Sequence, residues 1–392
     1  MRYYNKFQWS LKPYRLASHK IWSVTPAERD EYLKLDWNEA TIQPSPCVSK
    51  RIHKLIETEN FYNLYPDMIN PELNGLLSKF VGLPEDYIRY FCGSDVVHEC
   101  IVRSYIAPGD SVLILGPSYD NFRLTAESAG GKIYFSEVSE DFEFIAEKFE
   151  ADIDAIRPSF IYICSPNNPT GHLHPIEYIE YLLNKYPESM FLLDEAYYEF
   201  AGKSVCSLTQ THENIVVTRT MSKAFALANF RFGYMISNPV NIEHMSKIRN
   251  PKNINSFTQA AATGVLEDTD YRWAYVEECN KAKDWFFEEL KKRSDKLTVY
   301  YGYANALLIK FNSVEDKEGV FNYLSDHKIF VRPLKQSALL EKCLRVSIGT
   351  TEQMKRVMAC MDEYFAQKYA NTQIYDPPAL RGRRSFYIYI SI

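Results

Sequence analysis

Three short stretches of this chain carry side chains whose types and order suit one kind of chemistry. They are Ser165-Pro-Asn-Asn-Pro-Thr-Gly171, Leu192-Leu-Asp-Glu-Ala-Tyr-Tyr-Glu-Phe200 and Thr218-Arg-Thr-Met-Ser-Lys-Ala-Phe-Ala-Leu-Ala-Asn-Phe-Arg231. Lys223, a few residues past an apolar run, offers an amine whose pKa burial would lower, ready to condense with an aldehyde. Asp194 closes the run Met190-Phe-Leu-Leu, where a carboxylate is costly to bury unless a cation meets it. A protonated pyridine nitrogen is such a cation. Tyr197 and Asn168 can donate to a ring oxygen, and Arg231, eight residues after Lys223, can hold a phosphate together with Ser222. A second phosphate element is Gly93, Ser94 and Asp95, between a strand pattern and a helix whose N-terminus offers free N–H groups. Tyr119, in Pro117-Ser-Tyr-Asp, opens the next helix and is placed to stack on a ring.

Taken singly these signals are weak. Ser-Lys alone is a surface lysine, Asp-Glu-Ala-Tyr a helix cap or metal ligand, Asn-Asn-Pro-Thr-Gly a turn, and Tyr119 a core aromatic. Their joint occurrence in this order matches the needs of pyridoxal 5'-phosphate: an amine for the aldehyde, an acid for the ring nitrogen, donors for the ring oxygen and a cation for the phosphate.

Such side chains need a frame that converges them. Short β-rich runs at 87–92, 111–115, 132–135, 159–164, 190–193, 215–219 and 233–236 alternate with helical patterns. This α/β pattern predicts a mainly parallel, seven-stranded sheet with helices on both faces. Ligands on such sheets lie beyond the carboxyl ends of the strands, and Ser165, Asp194 and Lys223 all fall at or just after a strand end. A long helical stretch near 255–292, then strands at 297–301, 307–311 and 344–347, read as a smaller α+β domain. The expected division is an N-terminal arm over 1–35 with little core of its own, part of the small domain and a dimer contact, a large cofactor-binding domain over 36–255, a small C-terminal domain over 256–370 and a tail over 371–392. The tail's alternating end, Ser385-Phe-Tyr-Ile-Tyr-Ile-Ser-Ile392, fits an edge strand or a sticky tail.

Composition narrows the class. With 46% hydrophobic and 24% charged residues and a net charge of −5, the chain reads as a globular protein without the basic face that nucleic acid requires. Its eight cysteines are scattered with no C-x-x-C pair, so they are read as reduced thiols of a cytoplasmic protein. No signal-peptide core and no run of about 18 apolar residues is present, so no membrane partner is expected. His172 and His174 stand two apart on a turn that opens a helix and are not read as metal ligands; no metal is expected. His98 is read as a satisfied helix residue.

The same motifs resemble those of fold-type I, class I/II pyridoxal-phosphate-dependent aminotransferases, and within them the histidinol-phosphate aminotransferases. The likeness covers about residues 10–368 and includes Leu11-Lys-Pro-Tyr14, Asn38-Glu39, Asn63-Leu-Tyr-Pro-Asp67, Val331-Arg332 and Cys343-Leu-Arg-Val-Ser-Ile-Gly-Thr350. The resemblance implies that Arg345 binds the acidic group of the substrate, helped by Arg332 thirteen positions before it, with Tyr14 and Asn38 also on the substrate side. It implies that Tyr65 reaches the cofactor phosphate of a neighbouring subunit, hence a homodimer with shared sites. The implied reaction moves an amino group from an amino acid or a phosphorylated amine, histidinol phosphate-like, to a 2-oxo acid such as 2-oxoglutarate. A decarboxylase or an elimination or cyclisation enzyme of the same fold is the alternative, and a non-catalytic cofactor binder the third reading. Val96, Leu64, Lys252, Asn229 and the extension after Ala370 depart from the family pattern and bear on the substrate more than on the cofactor.

Overall fold

Strands covered on both faces are largely apolar, and the central strands of this protein are so up to the polar residues at their carboxyl ends. The computed structural model describes residues 5–9, 11–13, 20–58, 61–335 and 337–372; Tyr14 and the stretch 373–392 lie outside the described residues. In chain order the strands are β1 (Leu33–Leu35), β2 (Ile88–Phe91), β3 (Ser111–Gly116), β4 (Lys132–Glu137), β5 (Phe160–Cys164) and β6 (Met190–Asp194). They continue with β7 (Ile215–Thr220), β8 (Gly233–Ser237), β9 (Leu297–Tyr300), β10 (Ala306–Phe311), β11 (Ile329–Pro333) and β12 (Cys343–Ser347). Every residue of β5 and β7 is buried.

The larger sheet runs β2-β8-β7-β6-β5-β3-β4, and only β8 is antiparallel to its neighbours. Its pleat sends alternate residues to two cores. Ile161, Ile163, Leu193 and Val217 join one core, while Phe160, Tyr162, Leu192 and Val216 join the other, with Val97, Ile101 and Phe122 from two covering helices. The expected seven strands are all present, with ends displaced by one or two residues. Beside this sheet lies a second one, β1-β11-β12-β10-β9, antiparallel except where β1 pairs with β11.

Three features differ from the sequence reading. β1 and β11 were not expected, because a three-residue Leu-Lys-Leu run and a strand ending in proline carry little local signal; they form by pairing with each other across the chain. Within residues 1–35, Leu33 and Leu35 are buried in that pairing. The helical stretch near 255–292 is two helices, Ser256–Glu267 and Thr269–Lys291, parted at Asp268, whose carboxylate caps the second at the Tyr271 N–H. All eight cysteines are free thiols, and no described helix is long and apolar enough to cross a membrane.

One close approach sets the entry to the helix Ser94–Tyr105. A Cβ added at Gly233 on β8 would stand 2.3 Å from the Ser94 nitrogen and 2.5 Å from the Gly93 carbonyl carbon. Gly233→Ala must therefore push the start of that helix away from the sheet. The expected cost is about 1–3 kcal/mol or more, measured by urea denaturation; unchanged stability would show that the helix start yields freely.

Candidate active site

Parallel register brings the carboxyl ends of β5, β6 and β7 to one edge, with Cys164 beside Asp194 and Asp194 beside Thr218. After β5 the chain turns through Ser165–Gly171. Asn167 ties that turn down, its amide donating to the Pro117 carbonyl (2.9 Å) and to Thr170 Oγ1 (2.8 Å), while Asn167 Oδ1 accepts from Ser118 Oγ (2.9 Å). Asn168 is thereby left to face the site. Its Oδ1 accepts from Arg345 Nη1 at 2.7 Å, which orients the amide and leaves its N–H bonds as donors.

Lys223 stands in the loop that follows β7, closed by the bonds Met221 N to Phe232 O (3.0 Å) and Leu227 N to Met221 O (3.0 Å). Its Nζ donates to the Trp37 carbonyl at 2.9 Å and lies 5.9 Å from the Tyr197 ring centre. Burial lowers its pKa to about 8, helped by the positive charges of Arg345 and Lys34 and opposed by Glu39 and Asp95. Such an amine is neutral far more often at physiological pH than an ordinary lysine.

Asp194 is 3% exposed. Oδ2 accepts from Tyr162 OH (2.8 Å); Oδ1 accepts from Thr218 Oγ1 (3.3 Å) and the Ala196 N–H (3.2 Å). A carboxylate offers about four acceptor positions, so one stays open to a ring N–H. Tyr197 OH accepts from Asn38 Nδ2 (3.1 Å), which leaves the phenol proton to be donated; its pKa is raised by burial. Asn38 is held in a left-handed backbone conformation (φ 55°) by Ser347, whose Oγ accepts from the Asn38 N–H (2.9 Å) and donates to its Oδ1 (2.8 Å).

A second group of side chains suits a phosphate. Arg231 Nη1 donates to Ser222 Oγ (3.4 Å) and Nη2 to Asp95 Oδ2 (3.3 Å); Asp95 Oδ1 accepts from Tyr119 OH (3.0 Å). The helix Ser94–Tyr105 starts here with no side-chain cap on its first amides. Gly93 (φ 86°) lies against the guanidinium so closely that a Cβ would stand 2.6 Å from Nη2. A cradle that only glycine permits, a cation and uncapped amides fit the phosphate of the expected cofactor.

On the small-sheet side, Arg332 and Arg345 are direct partners across β11 and β12. Residues directly opposite one another in a ladder send their side chains to the same face of the sheet. Arg345 is 8% exposed, and its Nη2 donates to the Asp36 carbonyl at 2.6 Å.

The structure thus links Lys223, Asn168, Asn38, Tyr197 and Arg345 around one edge, and Gly93, Ser94, Asp95, Tyr119, Ser222 and Arg231 around the adjoining one. Tyr65 does not join them within this chain: it is 77% exposed and takes the Lys252 ammonium over its ring at 4.8 Å. Sequence reasoning missed the Trp37 carbonyl, Tyr162, Thr218 and the Lys34–Asp36–Glu39 charge group, in which Lys34 pairs with Asp36 at 2.9 Å and also with Glu39. Polar residues inside otherwise apolar strands were the available signal for Tyr162 and Thr218. A main-chain carbonyl has none. His98, read as a satisfied helix residue, is bonded through Nε2 to Thr218 Oγ1 (3.3 Å) with Asp194 Oδ2 at 3.7 Å, while Nδ1 is buried without a hydrogen-bond partner. His172 and His174 pack ring to ring (4.5 Å), and burial takes His174 down to about 3. Among the described residues no group of three or more His, Cys, Asp or Glu side chains is placed to hold a metal.

Comparison with known proteins agrees with this geometry. Residues 30–360 match the model of the family Aminotransferase class I and II. A dihydroxyacetone phosphate transaminase of Campylobacter jejuni is 39% identical over 93% of this chain and 97% of its own length. A histidinol-phosphate aminotransferase of Ruminiclostridium cellulolyticum is 33% identical over 86% of this chain and 93% of its own. Among solved structures, histidinol-phosphate aminotransferase from Sinorhizobium meliloti, in complex with pyridoxal-5'-phosphate, superposes with a TM-score of 0.82 at 23% identity over 94% of this chain and 99% of its own. The enzyme from Clostridium acetobutylicum gives 0.74 at 25% identity, covering 84% and 98%. The chain belongs to the aminotransferase class I and II family, and it is a pyridoxal-phosphate-dependent aminotransferase.

Proposed function

We propose that this enzyme exchanges an amino group between a small phosphate ester with an amine or oxo group on the neighbouring carbon and an amino acid/2-oxo acid pair such as glutamate and 2-oxoglutarate. The observation that carries the reading is the cross-strand pair Arg332 and Arg345, of which Arg345 bonds Asn168 and acts on the Lys223 amine. Dihydroxyacetone phosphate and histidinol phosphate, named in the two relatives, share one unit: the reacting carbon bears a phosphorylated CH₂ group. The greater identity to the first relative favours the smaller substituent on the other side of that carbon.

Bound pyridoxal phosphate supplies an aldehyde for the substrate amine and a protonated ring that takes up the electrons left when the α-proton departs. This chain's residues do the rest. Lys223 Nζ would hold the aldehyde carbon of that group, and the same amine, once free, would take the α-proton of the substrate and return it. Asp194 would accept from the ring nitrogen, Tyr197 OH and the Asn168 amide would donate to the ring oxygen, and Tyr119 would cover the face of the ring. Arg231, Ser222 and the amides after Gly93 hold the cofactor phosphate. Arg345 and Arg332 grip the substrate's phosphate or carboxylate with Asn38 and Tyr14 at its flank. Tyr65 serves the phosphate of a second copy in a homodimer with shared sites, working in the cytoplasm.

Lys223→Ala is expected to lower turnover about 10³-fold or more while leaving the fold intact by circular dichroism; retained transamination would remove the assignment. Arg345→Gln is expected to raise KM for a phosphorylated donor about 10- to 100-fold, with a smaller effect on glutamate. Absorbance titration with L-histidinol phosphate, 2-amino-1,3-propanediol phosphate and L-glutamate decides the donor, and release of carbon dioxide without an oxo acid would overturn transamination.

The lowered pKa of Lys223 also predicts a pH dependence. Between about 8 and the unfolded value near 10.4 the unfolded chain binds the proton and the native state does not, so this group's penalty shrinks as pH rises. Cofactor-free wild type should therefore be less stable than Lys223→Met at pH 7, and the gap in thermal midpoint should narrow by pH 10. A constant gap would contradict the buried-amine account.

A further inference from the structure

Beneath Asp194, on the face of the sheet covered by the helix Ser94–Tyr105, His98 is 1% exposed. Its ring stands edge-on to Phe122 (5.8 Å between centres) and to Tyr162 (6.0 Å). Nε2 lies 3.3 Å from Thr218 Oγ1 and 3.7 Å from Asp194 Oδ2. Thr218 Oγ1 spends its one proton on Asp194 Oδ1, so toward His98 it can only accept. The N–H is then on Nε2, and Nδ1 is left as a bare acceptor, buried and without a partner. An unsatisfied buried acceptor costs about 1–3 kcal/mol. An aliphatic side chain would fill the same space among Phe122 and Tyr162 without that cost. What the imidazole adds is therefore found at Asp194.

We infer that His98 is a positioning residue for transamination: through Thr218, with Tyr162 on the other carboxylate oxygen, it fixes the rotation of Asp194, so that the one uncommitted acceptor position serves the cofactor's ring nitrogen. The chain of donors is His98 Nε2–H to Thr218 Oγ1–H to Asp194 Oδ1, each link polarising the next. The order of the elements accounts for its reach: the helix that begins at the phosphate cradle carries His98 from there to the ring-nitrogen end, behind the sheet. The inference rests on Asp194 being the acid for that nitrogen.

The test uses the full-length holoenzyme loaded with cofactor labelled with ¹⁵N in the ring. His98→Leu removes the donor, His98→Asn keeps an amide that can reach Thr218, and Thr218→Val breaks the chain at its middle with little change of shape. For His98→Leu and Thr218→Val the ring ¹⁵N resonance is expected to move toward the unprotonated pyridine value, and the dissociation constant of the cofactor to rise about tenfold or more. Turnover should fall by a similar factor with KM for the donor within about twofold, and His98→Asn should restore most of each. If His98→Leu does not fold, Thr218→Val alone decides. An unshifted ring resonance in the folded variants would overturn the inference while leaving the aminotransferase reading intact. Wild-type protein that binds cofactor with an unprotonated ring nitrogen would instead remove the role of Asp194 from which it starts.

Discussion

A carboxylate with almost no exposure needs donors close at hand, and most of this architecture can be traced from the way Asp194 obtains them. Tyr162 on β5 and Thr218 on β7 flank it from the neighbouring strands, and Ala196 supplies a main-chain N–H from the turn beyond β6. All depends on the parallel register that sets Cys164, Asp194 and Thr218 side by side. A slip of one residue would turn Asp194 to the opposite face and leave Tyr162 and Thr218 without it. The same register carries the turns after β5 and β7 to one edge, where Asn168 and Lys223 face each other across the end of β6.

A second constraint is the gathering of positive charge. Arg345 reaches from the small sheet to Asn168 and to the Asp36 carbonyl, and it is set opposite Arg332 on the adjoining strand. Two consequences share this one cause. The pair offers a site suited to an anion, and the charge of Arg345 adds to burial in lowering the pKa of the Lys223 amine. Glu39 works in the other direction, and its pairing with Lys34 places a balanced charge group near the same amine. The guanidinium of Arg345 thus acts on both the Asn168 amide and the Lys223 amine.

How much of this could be read from the chain follows from how local each signal is. Gly93, Lys223, Arg231 and the Asn-Asn-Pro-Thr-Gly turn are recognisable because their chemistry is set by neighbours within a few residues. β5, β6 and β7 were legible because strands buried on both faces are almost wholly apolar. β1 and β11 were not, because each is stabilised by the other, nearly 300 residues away, and neither has a pattern of its own. The Trp37 carbonyl that receives Lys223 was invisible for the same reason, since main-chain groups look alike in every sequence.

His98 marks the limit most clearly. On its helix it is one residue among buried neighbours, and nothing in its vicinity along the chain distinguishes a packing histidine from one that acts on Asp194. Chain order, residue type and apolar runs determined the sheet and the helices over it and singled out the groups suited to a cofactor, because those rest on short-range patterns and on the end of each strand. Only the tertiary structure decided which charges oppose one another across strands, which polar atoms lie buried without partners and which backbone carbonyl the catalytic amine touches. Those depend on distances between residues far apart in the chain, and such distances exist only once the sheets have formed.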